Sequence, residues 1–185
     1  MVTKIPLTRG LFSVVDDADA PLVQEYKWYA LRSRRTFYAV RSVNKPNGKQ
    51  TKVQMHTLLT GFPVTDHIDG DGLNNRRNNL RASSVKENQW NNRKQLNTSS
   101  QYKGVTLHKG INKFQAAITT PSLDGPGKNK YLGVFASEIE AAIAYDNAAR
   151  ELFGNFTALN FPMTGERSAL ADGIEICLTM GDAHE

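Results

Sequence analysis

The chain has 185 residues, 39% of them hydrophobic and 22% charged, which is ordinary for a soluble globular protein and allows one domain or two small ones. No run approaches the ~20 apolar residues that span a bilayer, and residues 1–8 read as neither a signal nor a transit peptide. The single Cys177 excludes an internal disulfide and a thiolate zinc site, so a soluble cytoplasmic protein without a membrane partner is expected.

The net charge of +5 is unevenly placed. Residues 163–185 hold five acids and one base, while residues 1–162 hold 22 bases against 13 acids. A basic body suits a phosphate-rich partner. A generic solvated basic surface is the plainer alternative.

Residues 3–55 read as β. Residues 11–15 are a short apolar run, residues 26–31 and 36–43 are aromatic and β-branched, and Lys45-Pro46-Asn47-Gly48 is a turn leading to a return strand at 52–55. Arg32, Arg34, Arg35 and Arg41 cluster there, either on an exposed sheet face or against phosphates. His56-Thr57-Leu58-Leu59 starts a short helix that stops before Pro63, with His56 in a structural role.

Val64-Thr65 leads as a strand into Asp66-His67. The loop over 68–77 is rich in Gly, Asp and Asn, which tolerate left-handed backbone and bond to their own main chain. Asn79-Leu80-Arg81 returns as a second strand, and Ser84 with Glu87 forms a capping box that opens a helix carrying Asn88. Residues 93–101 read as a linker whose Arg93 and Lys94 can track a phosphate backbone. Beyond it come three short strands over 102–107, 113–119 and 130–135. A helix follows, with Ser137 as N-cap, Glu140 completing its box, and Gly154 ending it. Ala141, Tyr145, Ala148 and Leu152 share one face of that helix. Residues 163–185 read as an acidic, poorly anchored tail.

The chemistry concentrates at Asp66-His67. A carboxylate is a hard ligand for a divalent ion, and an amide oxygen from Asn88 can be a second. His67, next in the strand, points to the other face and can take a proton from water at neutral pH. Its second ring nitrogen needs an acceptor, which Asn79 on the returning strand can supply. A calcium loop is the competing reading of Asp69-Gly70-Asp71-Gly72, but Leu73, Asn74 and Leu80 stand where that pattern needs an oxygen ligand, a glycine and a glutamate. A turn-rich loop without function remains the other alternative.

Residues 56–92 resemble the HNH homing endonucleases with their ββα-metal fold. The matching pieces are Asp66-His67-Ile68-Asp69-Gly70, Asn74-Asn75, Asn79-Leu80-Arg81 and Asn88. The resemblance implies His67 as general base, Asp66 and Asn88 as metal ligands, Asn79 as the residue orienting His67, and Arg76, Arg77 and Arg81 at phosphates, with bracing of the fold the alternative for Arg81. Asn88 replaces the last histidine of many members, which shifts the expected ion to Mg²⁺ or Mn²⁺. Asn74, Asn75 and Asn78 then read as loop builders.

Residues 99–162 resemble the ethylene-response-factor (APETALA-type) DNA-binding domain of plants. Tyr102-Lys103-Gly104-Val105, Phe114-Gln115-Ala116-Ala117-Ile118, Tyr131-Leu132-Gly133-Val134-Phe135, Glu140 through Asp146, and Leu159-Asn160-Phe161-Pro162 match in order. In that family the sheet lies in the major groove, and such domains also occur behind HNH nucleases in phages and bacteria. Thr106, His108, Phe114, Thr119 and Tyr131 replace arginines and tryptophans of the plant sheet, so the plant target does not carry over. Of these, Thr106, His108 and Tyr131, with Lys103, Lys109, Lys113 and Lys130, are the candidate contacts, and Phe114 reads as packing.

The expected architecture is α+β: a β-rich segment with a ββα-metal core over 1–92, the linker, a three-stranded antiparallel sheet packed on one helix over 102–162, and the tail. The expected function is metal-dependent DNA hydrolysis by a monomer acting on duplex DNA, with no protein partner implied. A non-catalytic DNA-binding transcriptional regulator that keeps a degenerate nuclease fold is the alternative.

Overall fold

The computed structural model describes residues 1–33, 36–95, 98–122, 125 and 127–170. The chain divides into two compact units, Met1–Gln89 and Trp90–Glu185. Each is a mixture of short helices and small, mainly antiparallel sheets.

In the first unit, β1 (Val2–Pro6) pairs with β2 (Phe12–Asp16), and a single helical turn, α1 (Ala20–Val23), follows. Strands β3 (Tyr29–Ser33), β4 (Thr36–Asn44) and β5 (Gln50–Gln54) form an antiparallel sheet with β4 central. The β4–β5 turn closes as its Lys-Pro-Asn-Gly sequence predicts, with Gly48 N–H donating to the Lys45 carbonyl at 3.0 Å. Helix α2 (Met55–Thr60) precedes the two-stranded pair β6 (Thr65–His67) and β7 (Leu80–Ala82), in which Asp66 faces Arg81 and His67 faces Leu80. Helix α3 (Val85–Trp90) starts at the expected capping box. Ser84 N–H donates to Glu87 Oε2 at 2.6 Å, and Glu87 N–H donates to Ser84 Oγ at 3.1 Å.

The core of this unit gathers Ile5, Val15, Val23, Trp28, Ala39, Met55 and Leu59. Trp28 buries its ring and satisfies its indole N–H on the Val23 carbonyl at 2.8 Å. The strand β1 and the turn α1 have no individual sequence signal. Each is four or five residues long, and α1 carries a proline in its first turn, so tertiary packing rather than periodicity makes them.

In the second unit, β8 (Val105–His108), β9 (Lys113–Thr120) and β10 (Lys128–Phe135) form an antiparallel sheet in the order β10-β9-β8. Helix α4 (Glu138–Phe153) covers one face, with both halves of the Ser137–Glu140 capping box formed. Ala141, Ala142 and Ala149 on that helix are completely buried, and such small side chains let it lie close to Val105, Ala116 and Ile118. Asp146 is buried as well. Its carboxylate accepts from the backbone N–H of Asn160 and of Phe161 and from the Asn160 amide, which locks the middle of α4 to the segment beyond the helix.

Two expectations change here. Residues 163–170 are anchored: β12 (Arg167–Ser168) pairs in parallel with β11 (Ala158–Leu159), Ala169 and Leu170 are buried, and Glu166 pairs with Arg150 at 2.8 Å. Two apolar residues are too few to show a period, so sequence alone hides them. The described residues of the expected linker are also held within the second unit. Lys94 N–H donates to the Ala169 carbonyl, and the hydroxyls of Ser99 and Ser100 accept from the backbone of Leu107 and Tyr102. The expectations for residues 171–185, including Cys177, and for Arg34 and Arg35 lie outside the described residues.

Candidate active site

The loop between β6 and β7 is built around Asp69. Its Oδ1 accepts from Asp71 N–H at 2.8 Å and from Asn79 Nδ2 at 2.9 Å, and its Oδ2 accepts from Asn74 Nδ2 at 2.7 Å. Asn79 Oδ1 in turn accepts from Asp69 N–H at 3.0 Å, and Asn79 Nδ2 also reaches the Asn74 carbonyl. The loop is then strapped to the sheets. Val14 N–H donates to the Leu73 carbonyl at 2.8 Å and Asn75 N–H to the Val14 carbonyl at 2.7 Å, fixing it to β2. Gly72 N–H donates to Thr36 Oγ1 on β4 at 2.9 Å. A Cβ at Gly72 would lie 2.4 Å from the Phe37 carbonyl oxygen and 2.6 Å from the Tyr38 ring, so this close approach demands glycine.

Within that frame Asp66 and His67 are both buried, at 2% and 4% exposure. His67 Nε2 lies 3.3 Å from Asn75 Oδ1. The His56 ring meets the His67 ring edge-on, with centroids 4.9 Å apart, and Tyr38 packs against both. Asp66 Oδ2 accepts from Arg81 Nε at 2.9 Å and Nη2 at 2.6 Å. This corrects two assignments. The acceptor on His67 is Asn75 rather than Asn79, whose amide is spent on Asp69 and Asn74. Asn75 is therefore more than a loop builder. Arg81 braces the Asp66 carboxylate, the alternative the sequence leaves open for it. Asn88 sits half-buried on α3, with its backbone N–H on the Ser84 carbonyl. Among the described residues no group of three or more His, Cys, Asp or Glu side chains forms a cage for a metal ion.

Burial pushes the His67 imidazole below its ordinary pKa, against the opposing pull of the Asn75 hydrogen bond and of Asp69, Asp66 and Asp71. The ring is thus a neutral base at pH 7. Burial, with a smaller contribution from His67, takes His56 down from 6.5 to about 3. The folded His56 resists the proton that the unfolded chain accepts. Stability is therefore complete above pH 6.5 and is lost as pH falls from there towards 3. Between pH 6.5 and 5 the expected loss from this side chain is roughly 2 kcal/mol. Urea unfolding at several pH values measures it. His56→Phe should flatten the slope, and an unchanged slope would show that this residue does not carry it.

The other expected phosphate contacts divide. Arg76 pairs with Asp16 at 3.1 Å, and Arg77 with Asp19 at 2.8 Å, so both are committed to carboxylates of the first unit. In the second unit, Lys103 Nζ donates to the carbonyls of Trp90 and Ala158, and burial lowers its pKa to about 8. It is a structural lysine rather than a surface contact. Arg93 and Lys94 are half-buried, and burial also lowers the Lys94 pKa.

The sheet face away from α4 is open. The strand register puts Thr106 beside Gln115, His108 beside Lys113, and Tyr131 beside Ala117, all with the parity opposite to buried Val105, Ala116 and Ile118. Thr106, His108, Lys113 and Tyr131 are exposed on it, Lys109 is exposed in the β8–β9 turn, and Lys130 is exposed with the other parity, opposite Ile118. Gln115 at the centre of this face is a polar group the sequence reading passed over. Its alternation with half-buried Phe114 and buried Ala116 is the available signal. Phe114 packs on the core as expected.

No protein-family model matches the chain. It is 30% identical over 161 residues, 82% of its length and 76% of the relative's, to an uncharacterized HNH endonuclease of Acanthamoeba polyphaga mimivirus. It is 39% identical over 71 residues to an AP2-like ethylene-responsive transcription factor of Arabidopsis thaliana, covering 17% of that protein. It is also 37% identical over 91 residues to the dehydration-responsive element-binding protein 2D of the same plant, covering 42%. The chain thus spans less than half the length of these plant proteins.

Proposed function

Since the chain belongs to the HNH endonuclease family, we propose that it is a metal-dependent DNA endonuclease of the homing type. Its first unit would hydrolyse a phosphodiester bond and its second would hold duplex DNA. The observation that carries the reading is the consecutive pair Asp66-His67 on one buried strand, each side chain fixed by a different partner. We read β6, β7 and α3 as the ββα-metal unit.

In this reading His67 removes the proton from a water as its oxygen bonds to phosphorus, while the bond from phosphorus to the leaving oxygen breaks. Asn75 holds the imidazole and Arg81 holds the Asp66 carboxylate, so neither group must reorganise during the step. Asp66 and Asn88 offer one carboxylate and one amide oxygen. That donor set fits Mg²⁺ or Mn²⁺, which keep waters and take substrate oxygens to complete their shell. Such an ion, when bound, supplies positive charge to the phosphate and the leaving oxygen.

The matches to plant transcription factors support DNA binding by the second unit. Thr106, His108, Lys113 and Tyr131 on the open face would meet base edges and phosphates, with Lys109 and Lys130 at its margins. A sheet can enter the ~12 Å major groove. The same matches favour, as a second reading, a DNA-binding regulator that does not cut.

Supercoiled plasmid incubated with the protein and Mg²⁺ or Mn²⁺ separates the two. The proposal expects conversion to nicked or linear forms that EDTA stops. Salt-dependent binding with no conversion under either ion would favour the regulator.

A further inference from the structure

The open face of the second sheet carries an amide flanked by methyl groups. Gln115 lies on the central strand β9, with Thr106 of β8 directly opposite on one side and Val134 of β10 on the other. Cross-strand neighbours on one face stand about 5 Å apart, so these three side chains form one row. Gln115 and Val134 are half-buried, Thr106 is exposed, and none of them belongs to the core on the α4 side. Ala117 continues the same face two residues along β9, and Lys113 lies two residues back. Among the described residues no group hydrogen-bonds to the Gln115 amide. Its stem is held between neighbours while its head keeps one acceptor and two donors for a ligand.

An amide suits one base edge. Adenine shows an acceptor at N7 and a donor at N6 in the major groove, and an amide meets both at once, its N–H donating to N7 and its oxygen accepting from N6. Guanine shows two acceptors there and is read by a guanidinium or an ammonium, which this row lacks. The thymine opposite adenine adds a methyl group to the same groove, and methyl-bearing side chains favour it. Thr106, Val134 and Ala117 place such groups around the amide.

From this placement we infer that Gln115 is a specificity-determining residue of the second unit, pairing with adenine at one A·T pair of the bound duplex while its methyl-bearing neighbours meet the thymine. The inference rests on the reading of that unit as DNA-binding and is independent of cleavage. It states what the target must contain under the row of Thr106, Gln115 and Val134: an A·T pair and not a G·C pair.

The test offers the full-length protein, in EDTA so that no strand is cut, a pool of short duplexes with a randomised centre. Affinities for single-pair substitutions of the selected sequence are then measured by competition. One position should require A·T, with G·C there weakening binding about 5–150-fold. Gln115→Ala should remove the preference at that position alone, with affinity for the G·C duplex and the melting temperature near wild type. Gln115→Arg, which presents a guanidinium from the same place, should exchange the preference for guanine. A wild type whose selected positions are all G·C, or an A·T preference that survives in folded Gln115→Ala, would overturn the inference. Duplex bound with no sequence preference would also overturn it and leave DNA binding standing. No binding to any duplex would sink the DNA-binding reading of the second unit together with the inference.

Discussion

His67→Ala is expected to abolish metal-dependent cleavage while DNA affinity stays near wild type. A general base contributes on the order of 10²–10⁴-fold to a hydrolysis, so residual cutting should fall to about that fraction or below detection. The ring is buried against His56 and Tyr38, so the variant also leaves a cavity in the first unit. Circular dichroism must therefore show it folded. His67→Asn keeps polar volume and separates the two effects: a folded His67→Asn that binds DNA and does not cut isolates the chemistry. Full cleavage by a folded variant would remove His67 from the mechanism.

The largest stability effect is expected at Gly104. This residue has φ +76°, which side-chain-bearing residues rarely adopt, and a Cβ there would lie 1.9 Å from a ring atom of Tyr145. Tyr145 is buried in the core between α4 and the sheet, so its ring has nowhere to retreat. The Gly104 carbonyl also accepts from Ala117 N–H at 3.0 Å, which holds the backbone in place. Gly104→Ala combines backbone strain with overpacking, and a loss above ~4 kcal/mol is expected. Thermal melting should show the second unit unfolded or melting far below wild type. A melting temperature within a few degrees of wild type would contradict the packing described here.

How much of this was legible depends on sequence distance. The pair Asp66-His67, both capping boxes and the three strands of the second unit announce themselves through local signals: adjacent residue types, a Ser with Glu three later, and alternation. The partners of those residues do not. Asn74, Asn75, Asn78 and Asn79 crowd one loop, and no local rule says which of them reaches His67. Contacts with β2 fix Asn75 in place, and that strand meets the loop only on folding. Arg76 and Arg77 look like free cations until Asp16 and Asp19 arrive from roughly sixty residues earlier. Lys103 looks like a contact because its motif is basic, but the ammonium is spent on two carbonyls. The open face of the second sheet is legible in the sequence, because strand alternation alone separates Thr106 and His108 from Val105.

In the proposed function this chain cuts DNA through His67. The most direct test is to incubate the protein with the DNA flanking its own gene and Mg²⁺, then map the ends. A cut at a defined position that disappears with EDTA and with folded His67→Asn is expected. Tight, salt-sensitive binding to that DNA with no strand broken under Mg²⁺ or Mn²⁺ would contradict it.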